Sequence, residues 1–174
     1  AKALSKLGVG AGDRVATIQV NCPEHIEAYF ATAMLGAIYV PLNFRIKGEE
    51  LHSILEDASP KVLFSGSNYY DLVQSINDET LGITALVAMD GNPNLWLSYE
   101  LLIEQSSDEY WLPQSNEDDV TIIMYTAGTT GPPKGVMLTH KSFTSYILSN
   151  VLPADIEIEE RNILTVPMHH IAGM

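Results

Sequence analysis

The chain has 174 residues, of which 46% are hydrophobic and only 18% charged, a balance that excludes a disordered polymer and supplies one buried core. Its 22 acidic residues outnumber 9 basic ones, and the net charge of −13 repels phosphodiester backbones, which argues against nucleic acid as a partner. Cys22 is the only cysteine, so an internal disulfide or a thiolate metal cluster is excluded, and a reducing, cytoplasmic setting is expected.

In chain order, DRVATIQV (13–20) predicts a short strand bounded by Gly12 and Asn21. PEHIEAYFATAMLGA (23–37) predicts a helix, with Pro23 suited to its first turn and Ile26, Phe30, Ala33 and Met34 on one face. IYVPL (38–42) predicts a second buried strand. KGEELHSILEDASP (47–60) predicts an amphipathic helix with Leu51, Ile54 and Leu55 inward, and KVLFS (61–65) a third strand. Further on, 69–78 predicts a helix, 84–89 a strand and 97–108 another helix. The polar stretch LPQSNEDD (112–119) lacks periodicity and predicts a linker. Strands follow at VTIIMY (120–125), GVMLTH (135–140) and RNILTVP (161–167), with a helix over 141–152. Strands alternating with helices imply an α/β fold with a predominantly parallel sheet covered on both faces. The acidic patches 116–119 and 155–160 predict solvated faces.

No apolar run reaches the length of a membrane span, and nothing in the sequence signals an oligomeric state. The chain starts AKALSKLG, without methionine, and stops at HHIAGM inside an apolar stretch, so both ends are expected to continue into a longer protein. An incomplete sheet is expected to expose apolar edges and to favour association.

The run YTAGTTGPPKGVMLT (125–139) carries far more glycine and hydroxyl than a reversal of direction needs. It is not a Walker A loop: Gly128 and Gly131 are too close together, Lys134 is followed by Gly135, and the next run is β-like rather than helical. Its chemistry still suits phosphate. Glycines let backbone amides approach an anion, Thr126, Thr129 and Thr130 offer hydroxyls, Lys134 offers charge, and Pro132 and Pro133 stiffen the far side. A hairpin with its threonines on solvent fits the composition as well.

YTAGTTGPPKG resembles the signature loop of the adenylate-forming enzymes, a family that includes acyl-CoA synthetases, coumarate-CoA ligases, firefly luciferase and the adenylation domains of peptide synthetases. It departs from the usual pattern at Ala127, where serine is commonest. LGVGAGDRVA (7–16), residues 33–64 and VPMHHIAGM (166–174) resemble further family segments. The resemblance spans the whole chain and covers about the first half of the family's large N-terminal domain, with 1–111 as its first α/β portion and 120–174 as the phosphate-loop portion.

The resemblance implies a protein that activates a carboxylic acid with ATP. The carboxylate attacks the α-phosphate to give an acyl-adenylate and pyrophosphate, and a thiol, usually coenzyme A, then displaces AMP. It implies nucleotide-binding roles for Thr126, Gly128, Thr129, Thr130, Gly131 and Lys134, with Ala127 a position that has lost one hydroxyl, and Mg²⁺ at Thr130. It also implies a catalytic histidine at His170, near the acyl pocket, with His169 in a place usually held by Phe or Tyr and Gly173 leaving room for substrate. Lys134 meeting only solvent, and either histidine as a satisfied core residue, are the plainer readings. His25, His52 and His140 show no ligand spacing. The MHHIAG and GVMLTH contexts look closer to fatty or aryl acyl-CoA synthetases than to peptide-synthetase domains. The family's Tyr-Gly-x-Thr-Glu segment, its ribose-binding aspartate and its C-terminal lid with the catalytic lysine do not occur in these residues. The chain by itself is therefore expected to be inactive, and a non-catalytic nucleotide- or acyl-binding module is the alternative.

Overall fold

The computed structural model describes residues 1–76, 79–91, 94–108, 115–126, 131–150 and 163–174. Its strands are β1 (Arg14–Ile18), β2 (Ile38–Leu42), β3 (Val62–Ser65), β4 (Ala85–Ala88), β5 (Leu97–Ser98), β6 (Val120–Thr126) and β7 (Lys134–Thr139). The helices are α1 (Lys2–Lys6), α2 (Pro23–Met34), α3 (Gly48–Ala58), α4 (Tyr70–Ile76), α5 (Tyr99–Glu104) and α6 (His140–Asn150). The described strands form one sheet in the order β5-β4-β3-β1-β2-β6-β7. Every neighbouring pair is parallel except β6 and β7, which run antiparallel.

Side chains alternate between the two faces of a strand, and the core divides accordingly. Val15, Tyr39, Val62, Phe64 and Ile122 join one apolar cluster with Leu4 of α1 and Ala28 of α2. Ala16, Ile18, Val40, Leu42 and Leu63 join a second cluster with Leu51, Ile54 and Leu55 of α3 and Val73 of α4. Helices therefore cover both faces, as the alternation of elements predicts.

Helix α3 follows its predicted pattern, with Leu51, Ile54, Leu55 and Ala58 buried. Arg14 of β1 closes its C-terminal end: Nε donates to the Ala58 carbonyl at 2.6 Å and Nη2 to Ser59 at 2.9 Å. Those carbonyls have no partner within the helix, and the guanidinium supplies one.

Helix α2 does not bury the apolar face that its spacing marks. Ile26 and Phe30 are 45% and 58% exposed, while His25, Ala28 and Thr32 are buried. The polar pair is satisfied inside: Thr32 Oγ1 donates to the Ala28 carbonyl at 2.7 Å, and His25 is bonded at both ring nitrogens. Phe30 and Met34 instead line an apolar cleft of about 450 Å³ with Leu4, Leu7, Tyr99 and Leu102. The helix also ends earlier than predicted, at Met34, because Gly36 takes φ +64° and turns the chain toward β2.

Other boundaries differ from expectation by small amounts. The predicted helix at 97–108 begins as β5, and Ser98 caps α5 by accepting from the Leu101 amide at 3.4 Å. Over 69–78 a 3₁₀ turn at Ser67–Tyr69 leads into α4, and 77–78 lie outside the described residues. The linker's described part is a turn closed by the Asn116 amide donating to Asp119 at 2.7 Å. Glu117 and Asp118 of its acidic patch are exposed and face Lys141 at 3.0 and 3.6 Å; the patch at 155–160 lies outside the described residues.

The predicted strand at 161–167 is not a strand over its described part, 163–167. A strand exists only where its amides meet another backbone. Here Val166 and Met168 pair with a side chain instead, and Ile163 is 90% exposed. Strand β7 and helix α6 also present apolar side chains outward, with Met137, Tyr146 and Leu148 exposed.

Candidate functional site

Parallel pairing carries β1, β2, β3 and β6 in one direction, so their carboxyl ends share one edge of the sheet. From these four strands the connections that leave the edge are Gln19–Asn21 after β1, Asn43–Phe44 after β2, Gly66 after β3, and the loop that Thr126 opens after β6. Ligands of open α/β sheets bind at this edge, at the point where strand order reverses. Strands β2 and β3 lie on opposite sides of β1, which sets the reversal at β1.

The base of the phosphate-type loop is built from the β6–β7 pair, in which Thr126 faces Lys134 and Tyr125 faces Gly135. Ala127, Gly128, Thr129 and Thr130 lie outside the described residues. A Cβ on Gly135 would come within 2.8 Å of Ile123 Cγ2 and 3.2 Å of the Tyr125 ring, so glycine lets the strand pass against both side chains. The Tyr125 hydroxyl reaches across to the Asp57 carboxylate on α3. Burial, then that carboxylate, raises the phenol above its ordinary value, so it stays protonated and donates. Gly131 is different, because a Cβ there would meet nothing within 4 Å. Packing among the described residues gives no reason for that glycine.

The histidine segment is fixed from the end of β1. The Asn21 amide group donates from Nδ2 to the Val166 carbonyl at 2.8 Å and accepts the Met168 amide on Oδ1 at 2.9 Å. Met168 is buried, and His169 meets Phe44 edge to face at 5.2 Å between ring centroids. Burial lowers the His169 pKa, and the nearby His170, His25 and Arg45 push the same way, so its ring is held neutral. His170 is exposed; its Nδ1 accepts the Ala172 amide at 3.3 Å, which leaves the ring proton on Nε2 as a donor. The turn is closed by the His170 amide on the Pro167 carbonyl at 3.0 Å and the Gly173 amide on the His170 carbonyl at 2.8 Å.

Gly173 has a local reason. A Cβ there would lie 2.3 Å from the Pro167 carbonyl oxygen, so the space beside it is filled by the chain's own backbone. Beneath the segment, His25 bridges the Tyr39 hydroxyl at 2.7 Å and the Gln19 carbonyl at 3.1 Å. A carbonyl only accepts, so Nε2 carries the proton and Nδ1 accepts from Tyr39. Burial lowers the His25 pKa and outweighs the opposing pull of Gln19 and Glu24. At the reversal point itself, Gln19 is buried directly over Gly66, where a Cβ would lie 2.0 Å from its Nε2.

Sequence reasoning missed Asn21, Phe44 and the Tyr125–Asp57 pair. Tyr125 stands inside the quoted loop motif and was open to notice. Asn21 reads only as the end of a strand, and Asp57 as one more acid on an exposed helix. Among the described residues no group of three His, Cys, Asp or Glu could hold a metal ion, and Thr130 is outside them. No helix among the described residues is long and apolar enough to cross a membrane.

Open α/β sheets hold ligands at their carboxyl edge, and here that edge carries the histidine turn and the base of the glycine- and threonine-rich loop. The chain belongs to the AMP-binding enzyme family, whose model matches residues 1–174. It is 35% identical over 175 residues to an indoleacetate–CoA ligase of Aromatoleum aromaticum, an alignment covering 100% of this chain and 34% of that protein. It is 36% identical over 171 residues to a long-chain-fatty-acid–CoA ligase of Thermus thermophilus, covering 97% and 31%. An anthranilate CoA ligase solved with anthranoyl-AMP superposes with a TM-score of 0.81 and 29% identity, over 84% of this chain and 29% of that one. The chain thus spans about a third of the length of the curated relatives it matches.

Proposed function

We propose that the chain is a portion of an ATP-dependent acid–thiol ligase that activates a fatty or aryl carboxylic acid as its acyl-adenylate and passes it to coenzyme A. The observation that carries this reading is the shared edge: the loop opened by Thr126 and the turn bearing His170 meet the same carboxyl ends of a sheet that resembles an acyl-adenylate-bound ligase. The names of the relatives, indoleacetate–CoA ligase and long-chain-fatty-acid–CoA ligase, support the acid and the thiol.

Thr126, Gly131 and Lys134 fit an anionic ligand, because hydroxyl and ammonium donors flank a glycine that no described residue crowds. Ala127, Gly128, Thr129 and Thr130 belong to the same loop and are proposed to add amides and hydroxyls. Mg²⁺, when bound, would neutralise phosphate charge; the described residues offer it no carboxylate cluster, and Thr130 is the proposed contact. His170, protonated on Nε2, is proposed to donate a hydrogen bond to the acid's carboxylate before attack. Neutral His169, seated on Phe44, is proposed to shape the acyl pocket without adding charge that would trap the anion. Gly173 keeps that turn tight rather than opening space.

The test is acid-dependent pyrophosphate exchange in the ligase that carries this segment, with a long-chain fatty acid, indoleacetate and anthranilate as acids. Exchange with at least one acid is expected, and Lys134→Ala should raise the KM for ATP on the order of tenfold, the size of one charge-assisted contact. The 174-residue chain alone should show no exchange. Absence of exchange with every acid, or an unchanged KM for ATP in Lys134→Ala, overturns the reading.

A further inference from the structure

The segment 163–174 bears both histidines yet contributes no strand to the sheet. Two hydrogen bonds from one side chain tie it down. Asn21 uses its amide NH₂ on the Val166 carbonyl at 2.8 Å and its amide oxygen on the Met168 amide at 2.9 Å, bridging 145 and 147 positions of sequence. Only a side chain that donates and accepts at once fits this pair of backbone groups, and among residues of this length that is asparagine. The next two residues set its direction: Cys22 precedes Pro23 and is extended at φ −153°, ψ 161°, as a residue before proline prefers.

We propose that Asn21 is the positioning residue of the histidine turn: its two-point clamp fixes the backbone at 166–168 and so sets His169 against Phe44 and His170 at the carboxyl edge of β1 and β2. The role of the turn in acid binding rests on the proposed function; the clamp itself does not. Strand β1 is the central rigid element from which the turn hangs. Without the clamp, buried Met168 and the Phe44 contact remain, so the turn loosens instead of leaving.

The experiment pairs two readouts on Asn21→Ala, which removes both bonds, and Asn21→Asp, which keeps the acceptor for Met168 but sets an anion against the Val166 carbonyl. Hydrogen exchange of the Met168 amide should speed up on the order of tenfold or more in Asn21→Ala, and less in Asn21→Asp. Asn21 is exposed, so exchange in β1 and β2 should not change and will show that the variants fold. In the ligase carrying the segment, KM for the acid should rise about tenfold while KM for ATP stays constant, a split that a general loss of structure would not give. Unchanged exchange at Met168 overturns the clamp whatever the kinetics. Faster exchange with unchanged acid kinetics overturns the positioning role. Should the unsubstituted ligase lack acid-dependent activity, the functional reading fails while the exchange result still decides the clamp.

Discussion

Tyr39→Phe removes one oxygen from the most enclosed polar contact beneath the site. Tyr39 is fully buried and His25 is 1% exposed, so no water can replace the lost donor at His25 Nδ1. Burial raises the Tyr39 pKa above its ordinary value, so the hydroxyl donates throughout the accessible pH range. The change loses a net hydrogen bond of about 1 kcal/mol and strands a dry acceptor, for a total of about 1–3 kcal/mol. For a chain of this size, about 2 kcal/mol corresponds to a fall of roughly 4–8 °C in Tm. Thermal unfolding followed by circular dichroism reads this directly. Tyr146→Phe is the control, because Tyr146 is 65% exposed and should shift stability by less than about 0.5 kcal/mol. Equal shifts for the two variants would refute the account of His25 as a neutral acceptor held by Tyr39.

Stability should also fall in mild acid. His25 has a native pKa below its ordinary 6.5, so the unfolded chain binds a proton that the folded chain refuses. The stabilisation is complete above that value and is lost as pH drops below it; His169, lowered by burial, adds with the same sign. Urea unfolding at about pH 7.5 and 5.5 should show the loss, and His25→Gln should shrink it; an undiminished difference in that variant would sink the assignment. Gly173→Ala forces a Cβ to within 2.3 Å of the Pro167 carbonyl oxygen, where only a backbone shift gives relief. The turn should open at about 1–3 kcal/mol, seen as faster exchange of the His170 and Gly173 amides without any ligand. If the glycine served only to make room for substrate, ligand-free exchange would not change.

Where a run of residues decides its own fate, the sequence was legible. Leu51, Ile54 and Leu55 repeat at helical spacing and go inward, and the β2 residues 38–42 form the strand at the predicted bounds. Helix α2 misled because its core face includes His25 and Thr32, polar side chains satisfied by partners that periodicity does not reveal. The stretch 163–167 has strand composition but pairs with Asn21 rather than with another backbone. The phosphate-type loop was legible as a motif, and its base behaves as a hairpin between β6 and β7. The supports of the site, Asn21, Phe44 and Asp57, were not legible, since each acts through a residue far away in sequence.

The Gln19 side chain acts as a stopper. In an open α/β sheet the notch beside the reversing strand is the usual mouth for a ligand, yet here that notch over Gly66 is occupied by the protein itself. A shorter residue at position 19 would leave that notch vacant.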